Sequence, residues 1–230
     1  MKKSDLLLII VPYRNRPVHL QEFLQRVWIP LRREHAASKL LVAEQSEGNL
    51  FNRGCLLNTA YKWCINTWNV RPRRVVFHDV DLIPCKNLRR AYVTCSAPVV
   101  HFGSRFRRYI GKNYFGGVTA FAPHVFEDVG GFPNKFWGWG GEDDALLRRT
   151  RAQGYAITWP RFGSYEDLER LTLQQKLQQL RTDKAKCMTK RELMALEPNS
   201  QDTLAQTPLC KALRIDKHVV QFQLSNMSIG

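Results

Sequence analysis

Leu6-Leu7-Leu8-Ile9-Ile10-Val11-Pro12-Tyr13-Arg14-Asn15-Arg16 sets an unbroken apolar run against a proline and a polar, basic stretch. Six aliphatic residues without alternation describe a strand covered on both faces, as in a parallel sheet packed between helices. The run stops at Pro12, so residues 12–16 form a loop at the carboxyl end of that strand, where open α/β sheets bind ligands. Leu20, Phe23, Leu24, Val27, Trp28 and Leu31 then recur at helical spacing, and Lys39-Leu40-Leu41-Val42-Ala43 supplies a second strand. Strand, helix, strand in this order predicts an α/β fold with a mainly parallel central sheet. Phe51-Asn52-Arg53 leads into another helical stripe (Leu56, Leu57, Ala60, Tyr61, Cys64, Ile65, Trp68), followed by the strand Val75-Val76-Phe77. Arg53 stands where that helix begins, and two readings stay open: it faces a phosphate, or it is solvated at an ordinary helix end.

The chain has 230 residues, 44% of them hydrophobic, enough for one sizeable core, and no linker or low-complexity tract divides it. A single domain is expected. No apolar run approaches the roughly 20 residues of a membrane span, and Leu6 to Val11 is too short for the apolar part of a secretory signal. The net charge of +15 is concentrated: residues 1–160 carry 24 of the 35 Lys and Arg against 12 of the 20 Asp and Glu. Such a field suits an anionic ligand, with nucleotide diphosphate, nucleic acid and acidic glycan all eligible. The six cysteines (Cys55, Cys64, Cys85, Cys95, Cys187, Cys210) show no paired C-x-x-C spacing, so free thiols are expected rather than zinc.

The third strand runs directly into His78-Asp79-Val80-Asp81-Leu82-Ile83-Pro84. In extended chain, residues two apart project to the same side, so Asp79 and Asp81 can address one cation or one ribose-diphosphate group. Arg105-Phe106-Arg107-Arg108-Tyr109 is consistent with phosphate contacts and equally with a solvated face. Tyr114-Phe115-Gly116-Gly117-Val118-Thr119-Ala120-Phe121 reads as a glycine-started strand. It leads to Phe136-Trp137-Gly138-Trp139-Gly140-Gly141-Glu142-Asp143-Asp144, where two indoles, three glycines and three acids suit no helix or strand interior. Indole faces stack on sugars, glycines admit a ligand to the backbone, and clustered carboxylates push one another's pKa values apart, so that one can act as a base. The acids also cap a helix starting at Ala145-Leu146-Leu147.

Through residues 6–160 the motifs together resemble the β-1,4-galactosyltransferase family, inverting and dependent on a nucleotide sugar. Five stretches carry the resemblance: Val11 to Arg16, Phe51-Asn52-Arg53, Asp79 to Pro84, Tyr114 to Val118, and Trp137 to Asp144. The resemblance implies a GT-A fold with UDP-galactose as donor, a glycan acceptor, and Mn²⁺ (or Mg²⁺) as a weak, nucleotide-dependent metal; nucleic acid is not the expected partner. It implies donor contacts from Pro12, Tyr13, Arg14, Arg16, Phe51, Arg53, Asp79, Tyr114 and Gly117, with Tyr114 favouring galactose over N-acetylgalactosamine. Asp81 becomes the metal carboxylate, Trp139 touches donor and acceptor, Glu142 and Asp144 hold the acceptor, and Asp143 is the base. Residues 1–160 then form the nucleotide-sugar core and catalytic loop, and 161–230 a helical and strand extension.

Two departures matter. The family's metal-completing histidine, within M-x-x-H or H-x-H, has no counterpart in Trp159-Pro160-Arg161-Phe162-Gly163-Ser164-Tyr165-Glu166-Asp167-Leu168. Glu166 or Asp167 can substitute as oxygen ligands, but the favoured reading is a helix capped by Ser164, with Asp167 three residues on and Leu168, Leu171, Leu177 and Leu180 behind. The family's cysteine before the D-x-D, partner of the one matching Cys95, is also missing, as are a luminal anchor and stem. Reduced, cytosolic residence is the expectation, and a Golgi lumen only if the sequence is part of a longer chain. In the tail, Glu197-Pro198-Asn199-Ser200 reads as a loop and Val219 to Leu224 as a last strand. The alternatives are the same fold using UDP-linked N-acetylgalactosamine, glucose or xylose, and a non-catalytic nucleotide- or glycan-binding module with a degraded metal site.

Overall fold

The computed structural model describes residues 5–110, 114–138, 140–176, 178, 195, 203–207, 212–216 and 218–224. The opening run is strand β1 (Leu7–Tyr13), buried at every position. Leu7, Ile9, Val11 and Tyr13 face one apolar layer with Phe23, Val27 and Leu31, while Leu8 and Ile10 face a second with Leu56, Leu57 and Ala60. Both faces are covered, which is why the sequence shows no alternation.

Helices α1 (Pro17–Phe23) and α2 (Ile29–Glu34) are joined by a π-helical turn, Leu24–Trp28. Pro30 has no N–H for a regular helix, and the wider turn before it accommodates the missing bond. There follow β2 (Ser38–Gln45), α3 (Arg53–Asn66), β3 (Arg74–His78), β4 (Leu82–Pro84), α4 (Lys86–Thr94) and β5 (Val99–His101). Beyond them lie β6 (Val118–Phe121), α5 (Pro123–Asp128), α6 (Glu142–Ala152), β7 (Tyr165–Asp167), β8 (Ala212–Asp216) and β9 (Val219–Phe222).

The main sheet has the order β5-β6-β3-β1-β2-β9-β8. Its central strands β3, β1, β2 and β9 are mutually parallel, and β6 and β8 run antiparallel to their neighbours. The predicted last strand is therefore β9, with Val220 and Phe222 pointing into the core, although it ends at Phe222. Strand β6 starts at Val118 rather than at Tyr114, because Gly117 has φ +75° and breaks the extended backbone. The Glu197–Ser200 loop, Leu177, Leu180, Cys187 and Cys210 lie outside the described residues. Cys55, Cys64, Cys85 and Cys95 are free thiols, as expected.

The helix expected from Ser164 is not formed there. Residues Tyr165–Asp167 instead pair antiparallel with β4, Leu82 opposite Asp167 and Pro84 opposite Tyr165. The free edge of β4 offers ladder partners that a local cap cannot match, so tertiary pairing overrides the cap signal. Helical residues begin at 173, opened by Thr172: the Gln175 N–H donates to its hydroxyl at 3.2 Å, and its own N–H donates to Gln175 Oε1 at 2.8 Å.

At the other end of β3, Arg74 is 3% exposed and donates to the carbonyls of Cys95 (2.6 Å) and Ala97 (2.8 Å), just past α4. Arg73 donates to the Val93 carbonyl at 2.5 Å. Two guanidinium groups thus hold the carboxyl end of α4, where the helix dipole favours cations, and where the resemblance leaves Cys95 without a disulfide partner. Among the described residues no helix is long and apolar enough to cross a membrane.

Candidate active site

Parallel β1 and β3 end on the same edge of the sheet, and antiparallel β6 begins there. Residues 12–16, 79–81 and 116–117 are thereby collected at one place. His78 pairs with Val118, and the Asp79 N–H donates to the Gly117 carbonyl at 2.9 Å. Gly116 must lack a side chain, since a Cβ there would collide with the Asp143 carboxylate and come 2.9 Å from the Tyr114 ring. Asp143 and Tyr114 therefore meet at Gly116, one residue from the Gly117 carbonyl that holds Asp79. Tyr114 is stacked on Tyr109 with ring centroids 4.1 Å apart, and its hydroxyl pKa is pushed well up by burial and then by the charges of Asp79 and Asp143.

The three acids form the first turn of α6, where the helix dipole stabilises negative charge. Gly141 enters the helix with φ +102°, a left-handed conformation that a side chain would strain. Buried amides fix this loop to α3. Asn52 caps α3 by accepting from the Cys55 N–H (2.9 Å) and donates to the Asn134 carbonyl (2.6 Å), while Asn58 donates to the Phe132 carbonyl (2.8 Å). None of these asparagines was singled out by pattern, because a cap and a buried amide bridge look alike in sequence.

Arg53, the first residue of α3, points inward. Its side chain is 13% exposed, with nitrogens 2.8 Å from Asp79 and 3.5 Å from Glu142. Burial works against its charge, but Asp79, Glu142 and Asp143 raise its pKa further. Glu142 is pushed up by burial and held back by Arg53. The solvated-end reading of Arg53 is thus replaced by an internal bridge from the D-x-D to the acidic helix.

Asp81, Asp167 and Glu169 bring one carboxylate oxygen each within 4.8 Å of one another. Pairing of β7 with β4 delivers Asp167, and the Leu168 N–H donates to the Asp81 carbonyl at 2.9 Å, which carries Glu169 in behind it. Glu169 is not among the candidates that the sequence motifs mark. Asp167-Leu168-Glu169 has the D-x-E spacing that matches H-x-H, and that was the legible signal. Glu166, the other candidate, points away and pairs with Arg26.

Arg16 lies 3.4 Å from Asp81 and 3.0 Å from Glu169; Arg108 contacts Asp167 and Glu169, and Lys176 lies 2.6 Å from Glu169. Burial resists ionisation of Glu169, yet these cations hold its pKa down at about 2. Asp81 is pushed up to about 7 by burial, then by Asp79 and Glu169, with Arg16 opposing. An all-oxygen set of three carboxylates, one of them short of positive charge, fits a hard divalent cation.

Of the remaining candidates, Pro12 and Tyr13 end β1, and Arg14 donates to the Asn49 carbonyl at 2.7 Å with its guanidinium 5.1 Å from the Phe51 ring centroid. Arg14 and Phe51 thus pack against each other. Asp144 donates its N–H to Asp143 at 2.9 Å. Trp137 packs partly buried against the core, and Trp139 lies outside the described residues.

Comparison with known proteins matches residues 2–96 to a family described as the N-terminal region of glycosyl transferase group 7. Residues 97–173 match one described as the N-terminal domain of galactosyltransferase. The chain is 34% identical over 168 residues to β-1,4-galactosyltransferase 6 of Homo sapiens, covering 70% of this chain and 42% of that protein. It is 39% identical over 163 residues to β-1,4-galactosyltransferase 4 of Homo sapiens, covering 69% and 46%. The matched stretches thus span less than half the length of these relatives. Among solved structures, Drosophila β-1,4-galactosyltransferase 7 in complex with manganese, UDP-Gal and xylobiose superposes with a TM-score of 0.77 at 22% identity, over 95% of this chain and 94% of that one. Glucosyl-3-phosphoglycerate synthase of Mycobacterium tuberculosis, with Mn²⁺, UDP and phosphoglyceric acid, gives a TM-score of 0.55 at 14% identity, over 96% and 88%. These likenesses establish the fold, which is GT-A.

Proposed function

Because the chain belongs to the β-1,4-galactosyltransferase family, we propose that it transfers galactose from UDP-galactose, with inversion, to the 4-hydroxyl of a terminal N-acetylglucosamine-like sugar. The observation that carries this reading is the meeting of the Asp143 carboxylate with Gly116 and Tyr114 beside Asp79. A base and a nucleotide-binding acid then stand on either side of Tyr114. The acceptor oxygen attacks the anomeric carbon as its bond to the UDP oxygen breaks. The bonding pair leaves with the diphosphate, and the hydroxyl proton passes to Asp143. Glu142 and Asp144 hold the acceptor, Asp79 the ribose, and Arg14 and Arg16 the nucleotide, since guanidinium groups bind phosphates bidentately. Mn²⁺, held by Asp81, Asp167 and Glu169, would supply neutralisation of the diphosphate charge. Arg16 must then release Asp81 and Glu169.

The test is UDP release from UDP-galactose with and without N-acetylglucosamine-terminated acceptors. Acceptor-dependent release is expected, and its absence with every UDP-sugar would remove the transferase reading. Activity should vanish in chelator and return with Mn²⁺, and Asp167→Ala should raise the Mn²⁺ concentration needed for half-activity. Full activity in chelator would instead give the neutralising role to Arg16, which already spans two of the carboxylates.

Donor choice falls to Tyr114 in this reading. Tyr114→Leu opens the space that the ring fills, and the preference for UDP-galactose over UDP-N-acetylgalactosamine should fall roughly 10- to 100-fold, the range a pocket contact of this size commands. Competition between the two donors measures it. An unchanged ratio would assign the selectivity to another residue.

A further inference from the structure

Directly beneath the carboxylates an imidazole is fully buried in the apolar layer. His78 is 0% exposed, with Phe23 packed edge-on at 5.0 Å between ring centroids and Tyr92 at 5.6 Å. Its Nδ1 lies 2.9 Å from the Asp79 carbonyl and its Nε2 3.0 Å from the Tyr92 hydroxyl, which lies 2.8 Å from the Tyr165 hydroxyl. A carbonyl only accepts, so Nδ1 carries the proton. Burial keeps the ring neutral, lowering its pKa to about 4, so Nε2 is an acceptor and Tyr92 must donate to it. Tyr92 then accepts from Tyr165. The chain has one direction, from Tyr165 through Tyr92 and His78 to the backbone of Asp79.

Its ends are the two arms of the site. Asp79 lies two residues before Asp81, and Tyr165 two residues before Asp167 on the same side of β7. We propose that His78, Tyr92 and Tyr165 are positioning residues: a hydrogen-bonded strut that holds the Asp79–Asp81 arm and the Asp167–Glu169 arm at a fixed spacing. The proposal rests on the reading that these carboxylates hold the metal. The β4–β7 ladder fixes the register of the two arms, and the strut fixes their separation through the core. Arg16, Arg108 and Lys176 offset the charge of the three carboxylates, which lie within 4.8 Å of one another, and the strut adds a geometric constraint to that balance. Apolar residues of the same shape would pack as well in this layer, but would leave the arms linked only by the β4–β7 ladder and the Leu168 N–H bond to Asp81, with no directional link through the core.

The experiment compares wild type with Tyr92→Phe and Tyr165→Phe, which keep the rings and delete the links. Mn²⁺ binding in the presence of UDP is followed by the electron paramagnetic resonance signal of free Mn²⁺, the His78 tautomer by ¹⁵N NMR, and folding by thermal melts. Both variants should fold and bind Mn²⁺ about 10-fold more weakly, the low end of the range for partners that orient a metal's ligands. Wild type should show the Nδ1–H tautomer. Val27→Ala, a core truncation in the same layer without hydrogen bonds, controls for lost stability and should leave Mn²⁺ affinity unchanged. Affinities within twofold of wild type in both tyrosine variants, or an equal loss in Val27→Ala, would overturn the strut and leave the transferase reading standing. Wild-type turnover without Mn²⁺ binding would overturn the strut alone, and neither turnover nor binding would overturn both.

Discussion

Asp143→Asn is expected to slow galactose transfer by about 10²- to 10⁴-fold, the usual contribution of a positioned base, while UDP-galactose affinity stays within about twofold of wild type. The amide has nearly the same volume, so it fills the space over Gly116 and can still accept from the Asp144 N–H through its oxygen. What it cannot do is take the acceptor's proton. The loss of one charge at the start of α6 costs about 0.3–1 kcal/mol of stability, too little to unfold the chain. Donor binding by calorimetry and single-turnover transfer on one preparation separate the two effects. Retained turnover would remove Asp143 from the role, and a matching loss of donor affinity would make it a binding residue instead.

Arg53→Met should destabilise the fold by about 3–5 kcal/mol, because removing one partner of a buried ion pair leaves charge uncompensated. Here two carboxylates lose their cation together, Asp79 and Glu142. The size of the loss should depend on pH. Burial already raises Glu142 above its ordinary value, and without Arg53 its folded pKa rises further above that of the unfolded chain. A carboxyl shifted upward imposes no penalty below its unfolded pKa, about 4.3, and a growing one as the pH rises through its folded value. The deficit should therefore be small near pH 4 and full near pH 7.5, as measured by denaturant unfolding at both. A deficit independent of pH, or below about 1 kcal/mol at neutral pH, would mean that the bridge carries no stability.

The parts of this molecule that could be read in advance are those whose cause is local. A run of six aliphatic residues is buried on both faces whatever surrounds it, and Asp79-Val80-Asp81 and Glu142-Asp143-Asp144 crowd carboxylates into neighbouring positions. The parts that escaped depend on pairing across the chain. Nothing near Ser164 shows that β4 has an edge to offer, so a cap signal outweighed the strand that brings Asp167 and Glu169 to Asp81. For Arg53 a phosphate-facing and a solvated reading stay open in the sequence, because the two acids it bridges stand 26 and 89 residues away. His78 stands next to the D-x-D in sequence, but Tyr92 and Tyr165 become its neighbours only in the folded layer.

The Arg74 contact with the Cys95 and Ala97 carbonyls bears on how the chain reaches its native state. A disulfide joining positions 21 residues apart, the separation of Arg74 and Cys95, would shorten the unfolded chain and contribute roughly 3 kcal/mol through lost loop entropy. It would also make completion of folding wait for an electron acceptor. Guanidinium hydrogen bonds do neither. They exist only once β3 and α4 are packed, they leave the unfolded ensemble unconstrained, and they break and re-form with no chemical step. The contacts at this corner of the fold therefore need no oxidation to form.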